Sequence, residues 1–124
     1  MKYEIHHIGI IMRDHDEAID FFVNKLGMEL LKESISDKGG YKLEIGVDGK
    51  YLLEVFTRPV ELQSDVETTG HNHVCFGVDN VEKALNDFSS RGIKVTEPLF
   101  DAPTGKFYGF FYGPDDVKFE VYEW

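Results

Sequence analysis

The sequence is short of cysteine, of basic residues and of long apolar runs, and each shortage excludes something. A single cysteine, Cys75, rules out a disulfide within the chain. A lone thiol fits a reducing, cytoplasmic setting better than a secreted one. Thirteen Lys and Arg stand against 23 Asp and Glu, giving a formal net charge of −10. That balance argues against a nucleic-acid partner, which needs a basic face, and against anionic membrane surfaces. No apolar stretch approaches the length of a bilayer span, so no membrane partner is expected. The opening MKYEIHHIGI carries charges within its apolar run, unlike a signal peptide. What remains suits one globular domain over residues 1–124: 42% hydrophobic and 29% charged residues, with ten Phe, six Tyr and one Trp to build a core or line a pocket.

The chain repeats itself once. The segment starting at His7, HIGIIMRDHDEAIDFFVNKLGMEL, lies over the segment starting at His73, HVCFGVDNVEKALNDFSSRGIKV. Ala18 falls on Ala84, Ile19 on Leu85 and Phe22 on Phe88, and Gly27 matches Gly92 after a one-residue gap. Each copy is expected to run strand, helix, then three strands. In the first, a strand over 3–12 precedes a helix capped by Asp14, with Glu17 completing a capping box. Ile19, Phe22 and Leu26 form its apolar stripe and Gly27 its stop. Strands follow near 28–34, 40–47 and 51–57, with turns at Lys38-Gly39-Gly40 and Asp48-Gly49. In the second copy, a strand over 70–78 leads to a helix capped by Asn80, with Val81, Ala84, Leu85 and Phe88 on one face and Gly92 at its end. Strands are expected near 93–98, 105–112 and 117–123, the last after a turn at Gly113-Pro114-Asp115. Module 1 spans approximately 1–57 and module 2 approximately 70–124, joined by a polar linker over 58–69.

The candidate ligands sit inside this repeat. Glu54 follows His7 by 47 residues, and Glu120 follows His73 by 47. The surroundings match too, with YLLEVF at 51–56 over VKFEVY at 117–122. Strand alternation sends Ile8, Ile10 and Met12 to one face and His7, Gly9 and Ile11 to the other. Likewise Leu53 and Val55 oppose Glu54, and Phe119 and Val121 oppose Glu120. Each module thus gains an apolar face for its helix and an opposite face with one His, one Glu and small neighbours. Two imidazoles and two carboxylates form an N2O2 set suited to one divalent ion: Zn, Ni, Co, Fe or Mn. Four protein ligands on a six-coordinate ion leave two open positions for catalysis, whereas a tetrahedral ion is closed and structural. His6, His15 and His71 fall outside the correspondence and read as surface or strand-edge residues. Cys75 reads as a small buried residue. Phe56, Tyr112 and Tyr122 suit either a pocket wall or the core.

With HHIGI at 6–10, YLLEVF at 51–56, HNHVCFGV at 71–78 and GPDDVKFEVYEW at 113–124, the chain resembles the glyoxalase/bleomycin-resistance/dioxygenase, or vicinal oxygen chelate, superfamily over essentially its whole length. The resemblance implies an α+β fold of two βαβββ modules in tandem, forming an open, curled mixed sheet around a metal. It implies that the metal ligands are His7, Glu54, His73 and Glu120, and that homodimers are common. The His/Glu/His/Glu set is most similar to lactoylglutathione lyase. Extradiol dioxygenases and fosfomycin-resistance proteins lack a glutamate at the first-module position, and methylmalonyl-CoA epimerase typically has Gln where Glu54 stands. One departure limits the likeness: the glutathione clamp of that lyase has an Arg where this chain has Ile11. Arg58 stands where the family has an Asn. The last turn is GPDD rather than the common DPDG.

The implied function is metal-dependent lyase or isomerase chemistry, through an enediolate, on a small-molecule substrate: an α-hydroxycarbonyl, an α-ketoaldehyde–thiol adduct or a thioester. Glu120 or Glu54 would shuttle the proton as base and acid. The alternatives are other reactions of the same scaffold (epimerase, extradiol-type dioxygenase, thiol transferase) or a non-catalytic small-molecule-binding protein with a structural metal.

Overall fold

Alternating apolar side chains drive the first sheet. The computed structural model describes residues 1, 2, 4–61 and 70–124. Tyr3, in the expected first strand, and residues 62–69, in the expected linker, lie outside the described residues. The chain divides into two compact units, Met1–Leu62 and Gln63–Trp124.

In the first unit, strand β1 (Ile8–Met12) is followed by helix α1 (His15–Ile19), a π-helical stretch (Asp20–Lys25), and strands β2 (Glu29–Ile35), β3 (Tyr41–Val47) and β4 (Lys50–Thr57). The sheet order is β1-β4-β3-β2. β1 pairs with β4 in parallel, and the other pairings are antiparallel. Asp14 caps α1 by accepting the Glu17 backbone N–H at 2.9 Å. The helix does not keep the expected 3.6-residue phase. Its second half widens into a π turn, so Ala18, Phe21 and Phe22 are the buried residues, while Ile19 and Leu26 are only half-buried. Gly27 ends it at φ 72°, and the Met28 N–H donates to the Phe22 carbonyl at 2.8 Å. The core lies on the helix side of the sheet: Ile10, Met12, Leu43, Ile45, Leu53 and Val55 are buried.

The second unit has β5 (Val74–Val78), α2 (Val81–Ser90), β6 (Lys94–Val95), β7 (Leu99–Asp101), β8 (Lys106–Tyr112), a 3-10 turn (Pro114–Asp116) and β9 (Lys118–Glu123). The sheet order is β5-β9-β8-β6, with β7 also paired to β8. Asn80 caps α2 through the Lys83 N–H at 2.9 Å. Val81 and Leu85 are buried, and α2 packs on β8, β6 and β9. Phe111 and Phe119 stack at 5.2 Å between ring centroids in this core.

Three expectations need correction. The first strand begins at Ile8, with residues 4–7 outside it, and its pairing with β4 starts at Ile8↔Leu53. The strand expected over 93–98 is split: β6 holds only Lys94 and Val95, Pro98 interrupts, and β7 resumes at Leu99. The strand expected over 70–78 begins only at Val74. The turn expected at Gly113-Pro114-Asp115 does form, as a 3-10 turn with Asp115 (φ 60°) and Asp116 (φ 56°) left-handed. Both units are mixed sheets with few helices and neither sheet closes, as the α+β reading requires.

Candidate functional site

Each unit builds one His–Glu pair by the same device. In the first, hydrophobic alternation locks β1 against β4, since a one-residue slip would bury Glu54 and expose Leu53 and Val55. In that register Gly9 is opposite Glu54. His7, two residues upstream of Gly9, shares its face, and its Nε2 lies 3.8 Å from Glu54 Oε2. A Cβ added at Gly9 would meet nothing within 4 Å, so the space beside the pair is open. In the second unit Cys75 is opposite Glu120 in the equivalent register of β5 and β9. His73 Nε2 lies 2.7 Å from Glu120 Oε2. The two glutamates are mostly sheltered, with side chains 20% and 14% exposed.

The surroundings of the pairs differ. Glu54 Oε2 also accepts the Tyr51 hydroxyl at 3.2 Å and lies 3.8 Å from Lys42 Nζ. Tyr51 stacks on His7, with ring centroids 5.0 Å apart and planes 3° from parallel. Burial, then the Glu54 carboxylate, pushes the Tyr51 phenol up to about 12, so it remains a donor. His6 Nδ1 lies 2.9 Å from His7 Nδ1. In the second unit, His73 Nδ1 faces Asn72 Oδ1 at 2.8 Å, and the ring meets Phe110 edge-on at 5.8 Å. Lys118 Nζ sits 4.2 Å over Phe110.

Sequence reasoning missed Tyr51, Lys42 and Asn72. Strict alternation puts Tyr51 on the face of Leu53, away from Glu54. The register between β3 and β4 shifts at this point, from Ile45↔Leu53 to Gly46↔Tyr51. The extra residue in β4 reverses the alternation and brings Tyr51 round to Glu54. Lys42 and Asn72 carry a weaker signal: Lys42 is on the strand paired to β4, and Asn72 is next to a ligand candidate.

Cys75 is exposed, contrary to the buried reading, because the face it shares with Glu120 is the open one. Partial desolvation and the Glu120 carboxylate together push its thiol up to about 11. Phe56 lies under the Arg58 guanidinium at 4.8 Å, and Tyr112 under Lys94 Nζ at 5.0 Å. The Tyr122 hydroxyl donates to Asp101 Oδ2 at 2.6 Å, which raises its pKa. His15 bonds Asp16 and Glu33, and His71 is exposed.

The donor chemistry fits a divalent ion. Bonds of about 2.1 Å to an imidazole nitrogen and a carboxylate oxygen hold those atoms about 3.0 Å apart at a right angle and about 3.4 Å apart at the tetrahedral angle. The observed 3.8 and 2.7 Å bracket those values. With Nδ1 of His73 on an amide oxygen, which can only accept, Nε2 is the nitrogen left for a metal. Among the described residues, no group of three or more His, Cys, Asp or Glu forms a metal cluster; the structure presents two pairs. Among the same residues, no helix is long and apolar enough to cross a membrane.

Comparison with known proteins places these observations. The chain is 38% identical over 123 residues to the uncharacterized protein YwkD of Bacillus subtilis (strain 168), covering 96% of this chain and 95% of that one. A glyoxalase family protein from Enterococcus faecalis shares the fold with a TM-score of 0.85 and 30% identity over 97% of each chain. A lactoylglutathione lyase of Schizosaccharomyces pombe (strain 972 / ATCC 24843) is 25% identical over 142 residues, covering 96% of this chain and 47% of that protein. The model of the Glyoxalase/Bleomycin resistance protein/Dioxygenase superfamily matches residues 4–121, and the chain belongs to that superfamily.

Proposed function

We propose that the protein is a metal-dependent lyase or isomerase, with His7 and Glu54 of the first unit and His73 and Glu120 of the second as its ligands for a divalent ion. The observation that supports this reading most directly is the repeated register: Gly9 opposite Glu54 and Cys75 opposite Glu120, each placing an imidazole Nε2 beside a carboxylate Oε2. A divalent ion beside each carboxylate would add a full positive charge to the donors that the protein already supplies there.

A bound dication supplies Lewis acidity, polarising vicinal oxygens of a substrate and acidifying the adjacent C–H. The protein's own residues then do the rest. Glu54 and Glu120 are the two carboxylates placed to take up a proton at a carboxylate oxygen and return it. They are not equivalent in this role. Glu54 is held by Tyr51 and Lys42, whereas Glu120 has His73 and the Cys75 thiol beside it. The open space over Gly9 leaves room for a substrate atom there. Ile11, on the same face as His7 and 49% exposed, offers an apolar contact where a glutathione-dependent lyase would carry a cation. The reading therefore extends to α-hydroxycarbonyls, ketoaldehyde–thiol adducts and thioesters as a class, with no assignment of glutathione.

The test has two parts. Elemental analysis of the purified protein is expected to show a bound divalent transition metal. A methylglyoxal–thiol isomerisation assay, run with several thiols, is then compared across Glu54→Gln and Glu120→Gln. Unchanged metal content and unchanged turnover in both variants would defeat the proposal.

A further inference from the structure

We propose that Tyr51 is a positioning residue that fixes both metal-binding side chains of the first unit at once: its hydroxyl fixes the Glu54 carboxylate and its ring fixes the His7 imidazole. The inference rests on the reading that His7 and Glu54 bind a metal. Its basis is local geometry. The Tyr51 hydroxyl donates to Glu54 Oε2 at 3.2 Å. Its ring lies parallel to the His7 ring, 3° apart, with centroids separated by 5.0 Å. His6 closes edge-on against both rings, at 5.1 Å from His7 and 5.6 Å from Tyr51. The three rings hold one another, and the Glu54 carboxylate is tied to the group through the Tyr51 hydroxyl.

This arrangement depends on a built irregularity. The β3–β4 register slips by one residue between Ile45 and Gly46, which turns Tyr51 onto the ligand face. Gly46 is the residue that permits the slip, since a Cβ there would lie 2.1 Å from the Lys50 carbonyl oxygen. Among the described residues, the second unit has no equivalent. The repeat places Val117 where Tyr51 stands, and the β8–β9 register runs without a shift. His73 is instead oriented through Nδ1 by Asn72. The two pairs are thus supported by different means, a phenol in one and an amide in the other.

The physical consequence is pre-organisation. A glutamate on an open sheet face loses rotamer freedom when it binds a metal, and a partner that has already fixed it removes part of that cost. Outer partners of metal ligands are typically worth 10–100-fold in metal affinity, by general experience with such sites. Tyr51 supports two ligands, so its two contributions are separable. Tyr51→Phe keeps the ring and removes the hydroxyl; Tyr51→Leu removes both.

The experiment titrates metal-free protein with Co²⁺, following the visible d–d absorption and the calorimetric Kd. The panel is wild type, Tyr51→Phe, Tyr51→Leu and Glu54→Gln, with the melting temperature of each metal-free protein recorded alongside. The expected result is a Kd raised on the order of tenfold in Tyr51→Phe and further, toward a hundredfold, in Tyr51→Leu. The Co²⁺ band is expected to shift in both, and the melting temperature of Tyr51→Phe to stay close to wild type. If Tyr51→Phe binds Co²⁺ as wild type does while Glu54→Gln binds weakly, the positioning role is overturned and the metal reading stands. A lower melting temperature with an unchanged Kd marks a purely structural tyrosine and overturns it likewise. If wild type takes up no Co²⁺, or Glu54→Gln binds it unimpaired, the ligand reading itself falls and the role of Tyr51 falls with it.

Discussion

His73 Nε2 stands 2.7 Å from Glu120 Oε2 while its Nδ1 faces Asn72 Oδ1 at 2.8 Å. The amide oxygen can only accept, so it takes the Nδ1 proton and fixes the ring with Nε2 toward the carboxylate, where a metal placed between the two atoms would find the Nε2 lone pair. Asn72→Ala is expected to weaken binding of a divalent ion on the order of tenfold, leaving the fold intact. Calorimetric titration with Zn²⁺ measures this. An unchanged Kd would show that Asn72 has no part in orienting the ring.

Metal binding to the native state alone stabilises it by mass action. At a free-metal concentration of 100 Kd the gain is about 2.7 kcal/mol. Addition of Zn²⁺ or Co²⁺ to the chelator-treated protein is therefore expected to raise its melting temperature by several degrees. The rise should disappear in His73→Ala and in Glu120→Gln. A melting temperature indifferent to metal in the wild type would argue against metal binding by these residues.

The twin spacing of 47 residues was legible because a parallel strand pair with fixed register converts sequence distance into proximity. Gly9↔Glu54 and Cys75↔Glu120 are the structural form of that spacing. The helix caps Asp14 and Asn80 and the stop glycines Gly27 and Gly92 were equally legible, since each depends on neighbours a few residues away. What escaped depends on register irregularity. The π turn over Asp20–Lys25 moved burial from Leu26 to Phe21, and the bulge beside Gly46 moved Tyr51 to the face of His7 and Glu54. Alternation assumes a constant period, and both features break it. The exposure of Cys75 was misread for a different reason: its residue type favours burial, but its strand position sets it on the open face with Glu120.

His15 lies between two carboxylates, bonding Asp16 Oδ1 through Nδ1 at 2.9 Å and Glu33 through Nε2. The hydrogen bond to Asp16, then that to Glu33, raises its pKa above 6.5. A raised folded-state value means that protonation favours the native state. The stabilisation is complete below about pH 6.5, the unfolded value, and is lost as pH rises through the folded one. NMR titration of the His15 ring is expected to give a midpoint above 6.5 in the wild type and a lower one in Glu33→Gln. A wild-type midpoint at or below 6.5 would refute the assignment.

Phe111 is a keystone of the second unit's core. It is 1% exposed and contacts the Phe88 ring at 4.7 Å and the Phe119 ring at 5.2 Å. Phe111→Ala removes this packing and leaves a cavity, at a cost of about 3–5 kcal/mol. Phe111→Leu, which refills much of the volume, is expected to cost clearly less. Urea denaturation monitored by circular dichroism compares the two. Equal midpoints for Phe111→Ala and wild type would show that the site collapses around the loss.

Three glycines offer a graded test of how closely the two sheets are packed. A Cβ at Gly9 meets nothing within 4 Å, so Gly9→Ala is expected to leave stability almost unchanged. At Gly109 the nearest atom is Leu85 Cδ1 at 2.6 Å, the end of a side chain that can rotate, so Gly109→Ala should cost a moderate amount. At Gly46 the obstacle is the Lys50 carbonyl oxygen at 2.1 Å, with Leu31 Cδ1 at 2.7 Å behind it. Backbone has no rotamer to yield, so Gly46→Ala is expected to cost the most, at the upper end of the about 1–3 kcal/mol typical of overpacking. Relief can come only by opening the bulge, which carries Tyr51 away from Glu54. Gly46→Ala should therefore weaken Co²⁺ binding as well as stability, whereas Gly109→Ala should lower stability alone. Denaturant midpoints and Co²⁺ titrations on the three variants separate the effects, and a Gly46→Ala protein with wild-type Co²⁺ affinity would break the link between the bulge and the ligand pair.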